Sequence, residues 1–153
     1  DKALSPLYFD NNKKLSCITS AMNLIKILTA DMQKNTSVYE LFEEFYKILK
    51  SKDWIKRYIL WELELFKILG YDLELNKLVN KKIINNELRY ITKSSHENKI
   101  IPNFLIDKDY NEENLNILID GLNLINSYLE KTILKPNNLS QPISRINFLN
   151  TLK

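Results

Sequence analysis

The sequence predicts a mainly α fold, a compact helical domain of about five helices with a small β-hairpin or irregular insertion near residues 79–107. Three observations carry this. Apolar residues recur at helical spacing through most of the chain. Only two Gly and four Pro interrupt its 153 residues, few for an all-β or loop-rich design. The stretch from Asp53 to Leu75 is the longest apolar run and carries two adjacent helical stripes. One holds Tyr58, Trp61, Leu65 and Ile68, the other Ile55, Ile59, Phe66 and Leu69. A helix apolar around most of its circumference belongs at the centre of a bundle.

Taken in order, residues 1–14 hold Leu4, Leu7, Tyr8 and Phe9 followed by a turn-like D-N-N-K-K, expected as a connector or a short helical turn with its apolar residues docked on the core. The first helix is predicted over 16–32, with Ile18, Met22, Ile25 and Leu28 as its main face and Cys17, Ala21 and Leu24 beside it. The second, 37–50, opens on S-x-x-E at Ser37 and Glu40, a capping box in which each side chain satisfies the other's backbone N–H. The short K-S-K-D link favours antiparallel packing of the second helix on the central one, 53–69. Asp53 is its expected N-cap. Gly70 ends it, because glycine enters the left-handed conformation without a Cβ penalty.

D-L-E-L-N-K-L after Tyr71 suits one more helical turn. From Val79 to Asp107 the helical period is lost. Leu88–Thr92 alternates like a strand, and K-I-I before Pro102 is its expected return strand across the turn K-S-S-H-E-N. Helical spacing resumes over 111–133, with Gly121 inside it marking close approach of another helix. The last helix, 141–152, has Pro142 in its first turn and Ile143, Ile146, Leu149 and Leu152 as its buried face. No repeat or domain boundary is visible, so residues 1–153 are expected to form a single helical domain.

Composition narrows function. At 44% hydrophobic and 27% charged the chain is an ordinary globular one. Its net charge of +3 permits an anionic partner without demanding one. One cysteine leaves no intrachain disulfide and points to an intracellular home. Lys56, Arg57, Glu62, Glu64 and Lys67 make the central run too charged to span a membrane. Because the chain begins at Asp1 rather than Met, it is expected to be a piece of a longer protein.

Catalytic chemistry finds no candidates. Cys17 lies in an apolar helical pattern and His96 in a polar turn, so neither a zinc site nor a Cys/His pair is expected. Two glycines cannot build a phosphate loop, and neighbouring acids such as Glu62 and Glu64 do not share a helix face. No metal, no cofactor and no enzymatic activity are expected. Glu62 lies on an apolar face between Ile59 and Phe66 and needs a partner there. The cations Lys50, Lys52, Lys56 and Arg57 surround the start of the central helix with Trp54 and Tyr58 among them, an arrangement suited to an acidic peptide or a nucleic-acid backbone. Read without regard to family, the residues describe a non-catalytic helical binding domain, with Tyr58, Trp61, Leu65 and Phe66 as core anchors; the alternative is a helical adaptor or structural domain with no DNA role.

The segment W-E-L-E-L-F-K-I-L-G-Y-D-L-E-L resembles the F-E-L-x-L-L-x-x-L-G-Y-x-x-D-L signature of the RecO family of bacterial recombination mediators. D-G-L-N-L-I-N-S-Y-L-E (Asp120–Glu130) is similar to that family's penultimate helix, and L-S-Q-P-I-S-R-I-N-F-L (Leu139–Leu149) to its closing L-P-x-x-R segment, with Pro142 and Arg145 in register. L-R-Y-I-T-K-S-S-H resembles its Y-V-S-P-x-x-G region loosely. The resemblance implies the helical C-terminal domain of a protein whose N-terminal OB-fold, absent from this chain, binds single-stranded DNA. It implies a role in DNA repair and homologous recombination in the bacterial cytoplasm, associated with the nucleoid. By the same resemblance the protein is expected to act with RecR to help load RecA on DNA coated by the single-stranded DNA-binding protein SSB, and to anneal strands. The helical domain would capture the acidic, Phe-ended tail of SSB, with Lys52, Lys56 and Arg57 as the cationic rim. Glu62 and Arg145 both match fixed family positions and are the expected buried ion pair. Two departures stand out. N-K-L-V-N-K-K occupies the place where many members carry zinc-binding cysteines, and Leu60 stands where some members have a basic residue.

Overall fold

The computed structural model describes residues 12–29, 36–93, 99–109 and 111–153. Among these there are six α-helices, with α3 as the central one, and a three-stranded antiparallel sheet. The helices are α1 (Asn12–Leu28), α2 (Thr36–Leu49), α3 (Trp54–Ile68), α4 (Asn103–Asp107), α5 (Leu115–Tyr128) and α6 (Ile143–Thr151). The strands β1 (Val79–Ile84), β2 (Glu87–Thr92) and β3 (Ile100–Ile101) lie between α3 and α4 in the order β1-β2-β3.

α3 is the axis of the core, as its two apolar stripes predict. Tyr58, Ile59, Trp61, Leu65 and Phe66 are buried, and α2 and α5 pack on it. The Trp61 indole donates to the Leu41 carbonyl at 2.7 Å, which satisfies its polar edge and ties α2 to α3. Phe45, Tyr58, Trp61 and Phe148 form one aromatic cluster. Tyr58 and Trp61 stack at 5.6 Å, and Phe148 meets Tyr58 edge-on at 5.5 Å. Gly70 (φ +89) ends the helix in a Schellman arrangement, with Gly70 N–H on the Lys67 carbonyl and Tyr71 N–H on that of Phe66. Asp53 sits at the N-cap but makes no capping hydrogen bond. Its carboxylate is drawn instead to Arg57 Nε, 2.8 Å away.

Several boundaries differ from the sequence pattern. α1 starts at Asn12, so the supposed turn N-K-K is its first helical turn. Its buried side is Cys17, Ser20, Ala21, Leu24 and Leu28 with Ile18 and Ile25, and Met22 is exposed. The small side chains on this face let α1 lie against α6, where Asn23 Nδ2 donates to Ser144 Oγ at 2.7 Å. The expected connector 1–11, the turn around His96 and the Ser37 capping side chain lie outside the described residues. The extra turn after Tyr71 is a 3-10 turn over Leu75–Lys77.

The sheet has one more strand than expected. β1 pairs with β2 across a two-residue turn at Asn85 and Asn86, both at positive φ, while β2 pairs with β3 at Tyr90–Ile101 and Ile91–Ile100. Two positive φ values make the hairpin turn whose twist matches that of the strands, and Asn tolerates it. The helix expected over 111–133 begins at Leu115, capped by Asn114 Oδ1, which accepts from Asn116 N–H at 2.8 Å. It passes into a π-helical segment, Leu129–Leu134. The wider π turn brings Leu129, Ile133 and Leu134 to one side, and all three are buried. In α6, Pro142 occupies the N-cap rather than the first turn. The buried face is Arg145, Phe148 and Leu152, whereas Ile143 is 75% exposed and Ile146 is exposed as well. The helix is rotated so that an arginine, not the isoleucines, faces α3.

Gly121 lies where α5 meets α4. A Cβ there would stand 2.7 Å from Phe104 Cζ and 3.0 Å from its Cε1. Phe104 is fully buried and has little room to retreat. Alanine would gain about 1 kcal/mol of helix propensity but overpack the contact at about 1–3 kcal/mol. Gly121→Ala is therefore expected to lower the urea midpoint, and Phe104→Leu in that background to recover part of the loss. A raised midpoint in the single variant would show that Phe104 yields freely.

Candidate functional site

Two polar systems converge on α3, one at its middle and one at its start. At the middle, Glu62 and Arg145 meet with no solvent exposure of either side chain. Arg145 Nη1 donates to Glu62 Oε2 at 2.6 Å and Nη2 to Oε1 at 2.8 Å, a bidentate pair. Arg145 Nε donates to Asn126 Oδ1 at 2.8 Å, which also accepts from Gln141 Nε2 at 2.7 Å. The Tyr58 hydroxyl donates to Glu62 Oε2. The network therefore joins α3, α5, the segment before α6, and α6.

Its electrostatics follow from burial. Desolvation pushes the Arg145 guanidinium toward losing its proton, but the Glu62 carboxylate overrides this and holds it charged. Burial, reinforced by the Glu62 charge, raises the Tyr58 hydroxyl and the Cys17 thiol well above their ordinary values. A thiol so placed is neutral and shielded, and acts as a small core side chain.

At the start of α3, the structure separates the three residues expected to form one cationic rim. Lys52 is exposed. Arg57 is partly exposed and pairs with Asp53 one turn back. Lys56 is only 2% exposed. Its ammonium lies 2.8 Å from Asp109 Oδ1, donates to the Asn111 carbonyl, and stands 5.9 Å from the centre of the Phe104 ring. Lys56 thus clamps the loop before α5 onto α3 and is withdrawn from the rim. The physical reason is that an ammonium on the inner side of a central helix must find oxygen partners, and Asp109 and Asn111 supply them.

Beside this clamp runs a groove of about 450 Å³, lined by Lys52, Asp53, Trp54, Ile55, Lys56, Glu112, Glu113 and Leu118. Trp54 is its aromatic wall, packed behind by Phe148 at 6.5 Å and faced by the Lys14 ammonium at 5.9 Å from the ring centre. Lys14 escaped notice in the sequence because it lies forty residues away. The groove can take an apolar side chain against Trp54, Ile55 and Leu118, with Lys52 at the lip. Glu112 and Glu113 make the opposite wall acidic.

Among the described residues, no group of three His, Cys, Asp or Glu side chains stands close enough to hold a metal ion. No helix among them is long and apolar enough to cross a membrane. The architecture defines a mainly α protein, built on one central helix with a small antiparallel sheet inserted after it. The family model described as Recombination protein O C terminal matches residues 11–138, and the chain belongs to this family. That membership ties it to DNA recombination and repair. No curated protein and no solved structure matches the chain.

Two expected outcomes test these systems. Truncating one partner of a buried ion pair strands the other charge, at about 3–5 kcal/mol. Arg145→Leu should lose about that much on urea unfolding, and Glu62→Leu/Arg145→Leu should be more stable than the Arg145 variant alone. Additive losses would refute direct coupling.

The second concerns acid. Hydrogen bonding from Lys56 lowers the Asp109 carboxyl below its ordinary value. Partial burial works against this, and the Asn111 N–H assists. The folded value is thus below the unfolded one. The stabilisation is complete above the unfolded value, about 3.9, and disappears as pH falls through the folded value. Asp109→Asn should be less stable than the parent at pH 7 and should lose less further stability on acidification below about pH 4. Parallel stability curves would show that the Lys56 contact contributes nothing.

Proposed function

We propose that this chain is the partner-binding domain of a recombination mediator, one that works with RecR to help load RecA on SSB-coated single strands and that anneals complementary strands. In the longer protein an OB-fold preceding this domain carries most of the single-stranded DNA contact. The domain's own task is to hold the SSB tail, an acidic segment ending in Phe.

The observation that carries this reading is the groove at the start of α3. It offers apolar walls for a terminal Phe at Trp54, Ile55 and Leu118, and a cation for the terminal carboxylate at Lys52. An apolar anchor with a charge-assisted hydrogen bond at its end is the usual chemistry for a chain terminus. Lys14, over the Trp54 ring, adds a second positive charge at this wall. With Lys56 engaged inside and Glu112 and Glu113 opposite, the net attraction is small, so binding should be weak and sensitive to salt.

The test is fluorescence anisotropy of a labelled acidic peptide ending in Phe, at low and high salt, beside a peptide lacking the Phe. The Phe-ended peptide should bind more tightly. Lys52→Glu should weaken it by about three- to tenfold, in keeping with an exposed charge worth about 1 kcal/mol and its reversal. Equal binding of both peptides would refute an apolar notch, and unchanged affinity in Lys52→Glu would refute this groove.

A further inference from the structure

The segment 77–93, which contains the β1–β2 hairpin, accounts for the positive charge of the whole chain. The protein has 22 Lys and Arg against 19 Asp and Glu. Residues 77–93 alone hold five cations, Lys77, Lys81, Lys82, Arg89 and Lys93, against one acid, Glu87. Everything outside this segment is therefore slightly acidic in sum.

The geometry shows where those charges stand. Each strand has six residues, which makes an arm about 20 Å long. Residues paired across the strands share a face. Val79, Lys81 and Ile83 stand opposite Thr92, Tyr90 and Leu88 on one face. Asn80, Lys82 and Ile84 stand opposite Ile91, Arg89 and Glu87 on the other. Buried Val79 and Tyr90 mark the first face as the one turned to the body. The body holds β2 along most of its length: β3 pairs with Tyr90 and Ile91, the Tyr90 hydroxyl donates to Asp107, and Asn103 Nδ2 donates to the Leu88 carbonyl at 2.8 Å. β1 is the open edge of the sheet, where Lys81, Lys82 and Ile83 are exposed, Ile83 at 73%.

Lys82 and Arg89 face one another directly on the outer side, an arrangement that costs stability in a sheet. Glu87 pairs with Arg89. Lys81 and Lys82 are exposed and have no carboxylate within ion-pair distance among the described residues. A lysine or two on β1 would suffice to guard an open sheet edge. Lys77 pairs with Glu74, which leaves Lys81, Lys82 and Lys93 without a carboxylate at ion-pair distance among the described residues; three such cations, one of them directly opposite Arg89, exceed that need.

We propose that this hairpin is a second binding surface, which holds the phosphate backbone of nucleic acid. Lys81 lies on one face of the hairpin, Lys82 and Arg89 on the other, and no aromatic ring is exposed on it. The contact is therefore electrostatic and indifferent to base sequence. This surface is separate from the groove at α3 and does not depend on the reading given to it.

Anisotropy with labelled oligo-dT and with a mixed-sequence duplex tests the proposal on the full chain and separates single-strand from duplex phosphates as the source. Binding should fall as salt rises. Lys81→Glu/Lys82→Glu should weaken it at least tenfold at low salt and flatten the salt dependence by about two ions. Lys131→Glu/Lys135→Glu, which makes the same charge change at exposed positions elsewhere, should lose far less. Equal losses in both variants, or no binding by the parent chain, would overturn the proposal. So would an acidic peptide of matched charge that binds as tightly and through the same lysines, since that would assign the arm to a protein partner. Melting temperatures of the variants close to that of the parent separate loss of contact from loss of fold, and Lys81→Gln/Lys82→Gln supplies a milder variant if the reversal unfolds the arm. Lys52→Glu should leave the DNA affinity unchanged, so failure here and failure at the groove are read separately.

Discussion

Everything in the helical body is constrained by the bidentate contact between Glu62 and Arg145. Taking both charges out of water is expensive, and their attraction repays it only if geometry is good and the remaining lone pairs and protons are satisfied. Here Tyr58 and Asn126 complete the shell. The requirement then propagates. α6 must present Arg145 to α3, which turns Ile143 and Ile146 outward. Asn126 must face inward from α5, and Gln141 must lie close enough to share its oxygen. An apolar replacement of matching volume could hold the helices equally well. What the ion pair adds is discrimination: a helix slipped or rotated by one position would bury an unpaired charge.

The parts of this arrangement that were legible in the sequence are those governed by local periodicity. The central helix, its Gly70 terminus and the close approach at Gly121 all follow from residue spacing or from what a Cβ forbids. The buried pair itself was reachable because a Glu on an apolar face demands a partner, although the choice of Arg145 came from resemblance rather than physics. The rotation of α6 was hidden for the same reason. Hydrophobic spacing favours Ile143, Ile146 and Leu149 as the inner face. It has no means of knowing that an ion pair 83 residues apart in sequence outweighs two isoleucines.

The other departures share one cause, which is that local pattern does not record distant partners. β1 reads V-N-K-K-I-I and lacks alternation because most of it is exposed on both faces. Its one local signature is the Asn85-Asn86 turn, which plays no part in the sequence-based expectation above. The helix α4 is five residues long, too short for periodicity to register. At the candidate site, Lys56 and Arg57 are adjacent in sequence and identical in formal charge, yet one is locked to Asp109 in the interior and the other lies at the surface beside Asp53. A helix turns by about 100° per residue, so neighbouring cations face different environments. A basic cluster read from sequence is a cluster on paper until the facing elements are known.

That rotation also separates the protein's two cationic regions by kind. Around the start of α3 two positive charges are matched, Lys56 by Asp109 and Arg57 by Asp53, and Glu112 and Glu113 line the same groove as Lys52. Such a region discriminates by shape, because an incoming carboxylate gains little from a field already near neutral. On the hairpin Glu87 matches Arg89, but Lys81 and Lys82 are exposed and unmatched among the described residues, so their field extends into solvent over roughly a Debye length, about 8 Å at physiological salt. A shape-selective groove suits a partner with a defined end, and an open cationic arm suits one with a repeating charge. The fold keeps the two surfaces on different elements, so that engagement of one does not require the other to move.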